Sequence, residues 1–345
     1  VLAERVSNME EILRLEGVKK YYEVRRGLLG SQTLKALDGV SLTIGKKETV
    51  AVVGESGCGK STLGRVSMRL LEPTDGRIYF KGEEITGLPE RELRHRSFRR
   101  KMQIVFQDPY SSINPFMRIG EVLAEPLEIH GFPRSEIKTR ILQALEDVKL
   151  FPPEEFAERY PHELSGGQRQ RVNIARALIL DPEYIVADEP VSMIDASSRA
   201  EILLLLKSVR DSREMGILYI THDIATARYV SERIAVMYLG EVVETGATTA
   251  VLRRPIHPYT ALLLNSVPEP DPFGRRKRRY VIKGEPPSPL NPPSGCKFHT
   301  RCPIAVEKCK TVRPVLVEYE SGHFAACHRA EEIIDGSVTL TPGTA

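Results

Sequence analysis

The chain has 345 residues, 41% of them apolar, and a formal net charge of +3. That length gives room for one large domain with a smaller appendage, and that apolar share is enough for a real core. The small charge argues against a nucleic-acid partner, and the longest uninterrupted aliphatic stretch, Ile202–Leu206, is far short of the roughly 18 residues a bilayer span needs.

The first fifteen residues mix Glu, Arg and Asn with apolar positions, unlike a secretory signal. Ile12–Tyr22 and Leu34–Ile44 read as strands around a polar, Gly-containing excursion, Arg25–Gln32. A short apolar strand, Thr49–Val53, then runs into Gly54-Glu55-Ser56-Gly57-Cys58-Gly59-Lys60-Ser61, which fits the phosphate-loop pattern G-x-x-x-x-G-K-[ST]. Gly54, Gly57 and Gly59 let the backbone curl so that several N–H groups point at one anion. A helix over Lys60–Leu71 adds the positive end of its dipole. Lys60 is placed to reach the outer phosphates and the Ser61 hydroxyl to ligate Mg²⁺. Glu55, Ser56, Cys58 and Thr62 complete the expected lining of a nucleoside triphosphate site.

Gly76–Phe80 reads as another strand. Pro89–Arg100 reads as a helix whose Arg91, Arg94, Arg96, Arg99 and Arg100, followed by Lys101, make a solvated face rather than a binding patch. Met102–Phe106 is a strand ending at Gln107. From Ile119 to Arg159 helical patterns are broken by Pro126, Pro133 and Pro152–Pro153, as in a helical insertion between two parts of an α/β core. Leu164-Ser165-Gly166-Gly167-Gln168 precedes a helical run, Arg169–Leu180, and Ser165 suits a helix cap. Further helices at Ala196–Met215 and Ile224–Val230 alternate with strands at 184–187, 217–220 and 233–238, as a mostly parallel sheet requires.

Four of these strands end in residues with chemical potential: the phosphate loop, Gln107, Asp188-Glu189 and Thr221-His222. Ligands of open α/β sheets bind outside the carboxyl ends of the strands, so the four sets can converge on one nucleotide. Asp188 suits a Mg²⁺ ligand, and Glu189, just before Pro190, can polarise a water for in-line attack on the γ-phosphate. His222 can hydrogen-bond that phosphate and the water. Gln107 suits a second Mg²⁺ ligand and a γ-phosphate sensor. Tyr22 can stack on adenine, although the adjacent Tyr21 leaves either of them as a core residue.

Composition shifts after Val267. Pro268, Pro270 and Pro272 are followed by the basic run Arg275–Arg279 and by Pro286, Pro287, Pro289, Pro292 and Pro293, so no long helix forms there. The expectation is a small loop-rich domain over 268–345 that needs a staple. Cys296, Cys302, Cys309 and Cys327 are spaced C-x₅-C-x₆-C-x₁₇-C. Cys58 inside a nucleotide site implies a reducing compartment, which makes disulfides improbable. Four thiolates suit a tetrahedral Zn²⁺ or an iron–sulfur cluster. The absence of tight C-x₂₋₄-C pairs favours the cluster, while His299, His323 and His328 keep a mixed Cys/His zinc site open.

The L-S-G-G-Q sequence, set between a phosphate loop and Tyr184-Ile185-Val186-Ala187-Asp188-Glu189, resembles the signature of the ATP-binding cassette (ABC) ATPases. The resemblance implies an α/β nucleotide-binding domain over 1–267: a P-loop core, an antiparallel β subdomain and a helical insertion at about 108–168. Cassettes of this family pair head to tail, which implies that Ser165, Gly166, Gly167 and Gln168 cap the ATP on a partner's phosphate loop. The D-loop position reads Ser192-Met193-Ile194-Asp195, where Ser192 and Asp195 keep the family's pattern. Phe106-Gln107-Asp108-Pro109-Tyr110-Ser111-Ser112-Ile113-Asn114-Pro115, Arg159–Glu163, His257–Thr260 and Gly295–Pro303 resemble the oligopeptide and dipeptide importers, and among these the F-type ATPase subunit.

That subfamily implies a D-type ATPase partner in a heterodimer, two transmembrane permease subunits, an extracytoplasmic solute-binding protein, and a peripheral place on the cytoplasmic face of the membrane. Some of its members are thought to hold a 4Fe–4S cluster in this tail, and some carry sugars rather than peptides. The rival readings fit less of the chain. A non-transport ABC ATPase of translation usually carries two cassettes, and one of DNA repair splits its cassette with a long coiled coil; here there is one phosphate loop and a Pro-broken interval. A metal-dependent regulator built on the cysteines would leave the ATPase set unexplained.

Overall fold

The computed structural model of the protein describes residues 10–26, 30–109, 111–266 and 284–340. Tyr110, Pro268, Pro270, Pro272 and the basic run Arg275–Arg279 lie outside the described residues. The strands in chain order are β1 (Glu11–Arg26), β2 (Gly30–Gly45), β3 (Thr49–Val53), β4 (Asp75–Phe80), β5 (Glu83–Glu84), β6 (Met102–Val105), β7 (Tyr184–Asp188), β8 (Gly216–Thr221), β9 (Arg233–Tyr238), β10 (Glu241–Ala247), β11 (Val317–Glu320) and β12 (His323–Ala325).

They form two sheets. One is antiparallel, in the order β2-β1-β4-β5; the other runs β11-β12-β10-β9-β3-β8-β7-β6. In the second sheet β3 is parallel to both β8 and β9, and β7 is parallel to β6 and β8. Every residue of β3, β7 and β8 is buried. That matches their continuous apolar runs, since a parallel strand is covered on both faces. The two faces of β3 feed different cores, as the period of two demands. Ala51 and Val53 join Leu123, Leu145, Leu178 and Leu205 under the helices. Val50 and Val52 join Leu63, Ile78 and Phe80 toward the antiparallel sheet.

The expected helical insertion is present as helices Ile119–Ile129, Arg134–Asp147 and Pro153–Glu158. Two expected helices are shorter than their sequence patterns. The one after the phosphate loop ends at Ser67, and the chain turns at Arg69, whose φ is 55°. The basic helix divides into Glu90–His95 and Phe98–Lys101 at Ser97, whose φ is 61°. Its charges also divide. Arg94 and Arg96 pair with Glu90 and Glu92 in solvent. Arg99 instead donates to the carbonyls of Met68 (2.7 Å) and Arg69 (2.9 Å), and Arg100 to that of Leu180 (3.2 Å). Part of the expected solvated face is therefore a set of structural pins.

The C-terminal extension, expected as a small loop-rich domain over 268–345, is described from residue 284 to 340. In its described part, β12 pairs with β10 through Glu244↔Ala325 and Thr245↔Phe324, so the extension lengthens the main sheet. Phe298 is buried against Tyr238 and Tyr259, with ring centroids at 5.2 and 5.3 Å. His323 Nε2 meets buried Glu244 at 2.7 Å, and the same carboxylate accepts the backbone N–H groups of Ile256 and His257. Strands of four and three residues, without strong alternation, leave little pattern in a Pro-rich sequence. Among the described residues no helix is long and apolar enough to cross a membrane.

Candidate nucleotide site

β3 delivers the chain to Gly54 and the helix Lys60–Ser67 takes it away. The loop between them is possible because two glycines lie against backbone. A Cβ on Gly54 would stand 2.3 Å from the carbonyl oxygen of Met237. One on Gly59, which caps the helix at φ 109°, would stand 2.3 Å from that of Ala36. Lys60 is buried, and its Nζ donates to the carbonyls of Gly54 (2.8 Å) and Glu55 (3.0 Å). Cys58 is buried beside it, and burial pushes its thiol up against the opposing pull of Lys60. The loop thus presents a helix N-terminus with the lysine folded back onto it, the arrangement an incoming phosphate group would open.

The other three strand ends converge as expected. Ser61 Oγ donates to Asp188 Oδ1 at 3.0 Å, joining the phosphate loop to the end of β7. Burial pushes the Asp188 carboxyl up; the Ser61 hydrogen bond opposes this and the neighbouring Glu189 charge adds to it. A buried acid facing a hydroxyl, with a second acid beside it, is an arrangement that a divalent cation stabilises. Glu189 sits at φ 47°, outside the comfortable range for a non-glycine residue, and its N–H is held by the Ile220 carbonyl of β8 at 2.9 Å. Strain of this kind persists where surrounding structure enforces it. The result is a carboxylate aimed between two expected partners: Gln107 Nε2 donates to Oε2 and His222 Nδ1 meets Oε1, both at 3.1 Å.

Ser165 and Gln168 satisfy each other as a reciprocal cap, with Ser165 N–H donating to Gln168 Oε1 at 3.0 Å and Gln168 N–H to Ser165 Oγ at 3.3 Å. The helix therefore begins at Gly166 rather than at Arg169. A Cβ on Gly167 would meet Ser198 Oγ at 2.9 Å, whereas one on Gly166 would meet nothing within 4 Å. Ser192 donates from N and Oγ to the Glu189 carbonyl at 3.2 and 3.1 Å, tying the expected D-loop to the turn after β7. Asp195 caps the helix Ala196–Arg213 and is held down to about 2 by hydrogen bonds from Ser197 and Ser198. Tyr21 donates to Asp38 Oδ1 at 2.5 Å, while Tyr22 lies half-buried opposite Leu34 with Lys20 over its ring.

The tail cysteines are free thiols, as is Cys58. Burial raises Cys296 to about 11 and Cys302 and Cys327 to about 12, and each is raised further by charge on other members of the set. Among the described residues, however, no three His, Cys, Asp or Glu side chains gather closely enough to hold one metal ion. The histidines kept open for a mixed site are engaged elsewhere. His299 meets the Cys296 carbonyl, His328 the Val312 carbonyl and His323 Glu244.

One functional contact has no counterpart in the sequence reading. Arg301 forms a two-pronged ion pair with Glu55 of the phosphate loop, at 2.7 and 2.9 Å. The Tyr259 hydroxyl accepts the Glu55 N–H at 2.9 Å. No periodicity could link residues this far apart.

Comparison with known proteins places this geometry in a family. The ABC transporter family model matches residues 37–192, and the model for the oligopeptide/dipeptide transporter C-terminal region matches 243–309. The chain is similar to the putative oligopeptide transport ATP-binding protein YkfD of Bacillus subtilis, at 48% identity over 92% of this chain and 95% of that one. It is similar to the oligopeptide transport ATP-binding protein AppF of the same organism at 47% identity, over 93% of this chain and 98% of that one. Among solved structures, the dimeric ATP-binding cassette MJ0796 bound to ADP and Pi superimposes with a TM-score of 0.60 at 34% identity, covering 69% of this chain and 99% of that one. At this identity and coverage the chain belongs to the ABC transporter family, among the ATP-binding subunits of its oligopeptide and dipeptide transporters.

Proposed function

We propose that this chain hydrolyses ATP at the cytoplasmic face of a membrane and so energises the import of oligopeptides or dipeptides through separate permease subunits. The observation that carries the reading is the single carboxylate of Glu189, held between Gln107 and His222 one residue beyond Asp188. Ser61, Asp188 and Gln107 are the residues that would hold Mg²⁺, which supplies charge neutralisation on the phosphate oxygens when bound. Lys60 leaves the Gly54 and Glu55 carbonyls for the outer phosphates, and Tyr22 stacks on adenine. Glu189 accepts a proton from the attacking water, and His222 orients that water and the γ-phosphate.

The second half of the site comes from a partner. Ser165, Gly166, Gly167 and Gln168 are assigned to ATP on the partner's phosphate loop, with Ser192 and Asp195 at the junction. The open space at Gly166 and the dimeric state of the MJ0796 cassette support this. In the F-type reading the partner is a D-type ATPase, the pair sits on two permeases, and an extracytoplasmic binding protein delivers solute. Two outcomes compete: a transporter of sugars, and a non-transport ATPase of translation or repair. A tagged full chain purified from membranes should bring down two permeases and a paralogous ATPase. Recovery with ribosomes or DNA instead would overturn the transport reading.

Cys296, Cys302, Cys309 and Cys327 are assigned to a 4Fe–4S cluster, with Zn²⁺ as the alternative. Four free thiols, Cys309 buried and Cys296, Cys302 and Cys327 half-buried, suit either group. The spacing C-x₅-C-x₆-C-x₁₇-C, without tight C-x₂₋₄-C pairs, supports the cluster, whose irons take one thiolate each at separate corners. Protein purified without oxygen should be brown, with about four irons per chain. Colourless protein with stoichiometric zinc would reverse the assignment.

A further inference from the structure

The C-terminal extension grips the phosphate loop by Glu55, and all three polar groups of that residue are engaged. Its carboxylate takes both prongs of Arg301, whose side chain is only 5% exposed. Its N–H is held by Tyr259 Oη at 2.9 Å, and its carbonyl accepts Lys60 Nζ at 3.0 Å. Arg301 also reaches Tyr238 Oη at 3.3 Å, which fixes the guanidinium to β9. A second grip lies on the other side of the loop. Lys297 Nζ, buried between Asp38 and Glu241, donates to the Leu239 carbonyl at 2.8 Å, and the next residue, Gly240, donates its N–H to the Cys58 carbonyl at 2.9 Å. Between loop and extension is a cavity of about 440 Å³ whose walls are Glu55–Cys58 on one side and Glu285–Pro289 on the other.

These contacts act where nucleotide binding begins. Lys60 must leave the Glu55 carbonyl to reach a phosphate, so whatever fixes Glu55 sets the resting state of the loop. A fork of two charge-assisted bonds, with the guanidinium buried and the Glu55 carboxylate partly exposed, is stiff enough to do this. We infer that Arg301, with Tyr259, positions the phosphate loop for ATP.

The test measures Mg-ATP affinity on the full chain, with turnover measured in the assembled transporter. Arg301→Met and Glu55→Gln should each weaken ATP binding about tenfold, within the usual range of coupling between sites. The double variant should be no weaker than either single one, and Arg301→Lys should recover part of the loss. For Arg301→Met, kcat at saturating ATP should stay near wild type, because Glu189 and its partners are untouched. A purely structural role would instead lower the melting temperature with affinity unchanged in the folded fraction, and that result overturns the inference, as does additivity in the double variant.

Discussion

At the carboxyl edge of the main sheet, Ser61 already meets Asp188, and Glu189 already lies between Gln107 and His222. At the start of the helix Gly166–Leu178, by contrast, the signature residues Ser165 and Gln168 cap each other and Gly166 faces open space. The first surface is organised by contacts within the chain. The second has its Ser165 and Gln168 hydrogen bonds satisfied locally. The difference teaches that one surface is joined by contacts between distant strands while the other is closed on itself, as the proposed partner-facing role of the signature requires. It also predicts that substitutions on the two surfaces will be felt at different ATP molecules.

The largest effect should come from the first surface. Lys60→Ala removes a charge-assisted contact to phosphate, worth roughly 1.5–3 kcal/mol, so ATP affinity should fall about 100-fold in an equilibrium binding assay. Gly59→Ala breaks the same surface through the backbone. Its Cβ would lie 2.3 Å from Ala36 O at a φ of 109°, so thermal or denaturant unfolding should show a loss of about 3 kcal/mol, with binding impaired in whatever remains folded. Ser165→Ala probes the second surface and should be the mildest for this chain. Loss of the cap costs about 1 kcal/mol of stability, and this chain's own ATP affinity should hold. Turnover at the partner's site should fall more than at its own, which single-site labelling in the assembled complex would reveal; equal loss at both sites would blur the comparison.

Much of the first surface was legible in the sequence, because each of its parts is a short apolar strand ending in a reactive residue. Such strands announce themselves by composition, and the rule that ligands gather at their carboxyl ends supplies the convergence. The signature was legible as a cap on local grounds, while its proposed action on a partner's ATP comes only from family resemblance. What stayed hidden was the extension. β11 and β12 are too short and too weakly alternating to read as strands, and the pairing of β12 with β10 depends on contacts about eighty residues apart, as Thr245↔Phe324 illustrates. Arg301 reads as one more basic residue in a polar stretch, and only the folded chain brings it to Glu55. The divided basic helix is a similar case: nothing in the run of arginines marks Ser97 as the point where the backbone turns to positive φ.

The account rests on Glu189 as the base that activates water, and one measurement addresses it directly: ATP turnover against ATP binding for Glu189→Gln in the assembled transporter. The substitution keeps the size of the side chain and its contact with Gln107 while removing the carboxylate. Binding of Mg-ATP should be retained and turnover should fall by ~10²–10⁴-fold, the usual cost of losing a general base. Turnover near the wild-type rate, with ATP bound normally, would contradict the account.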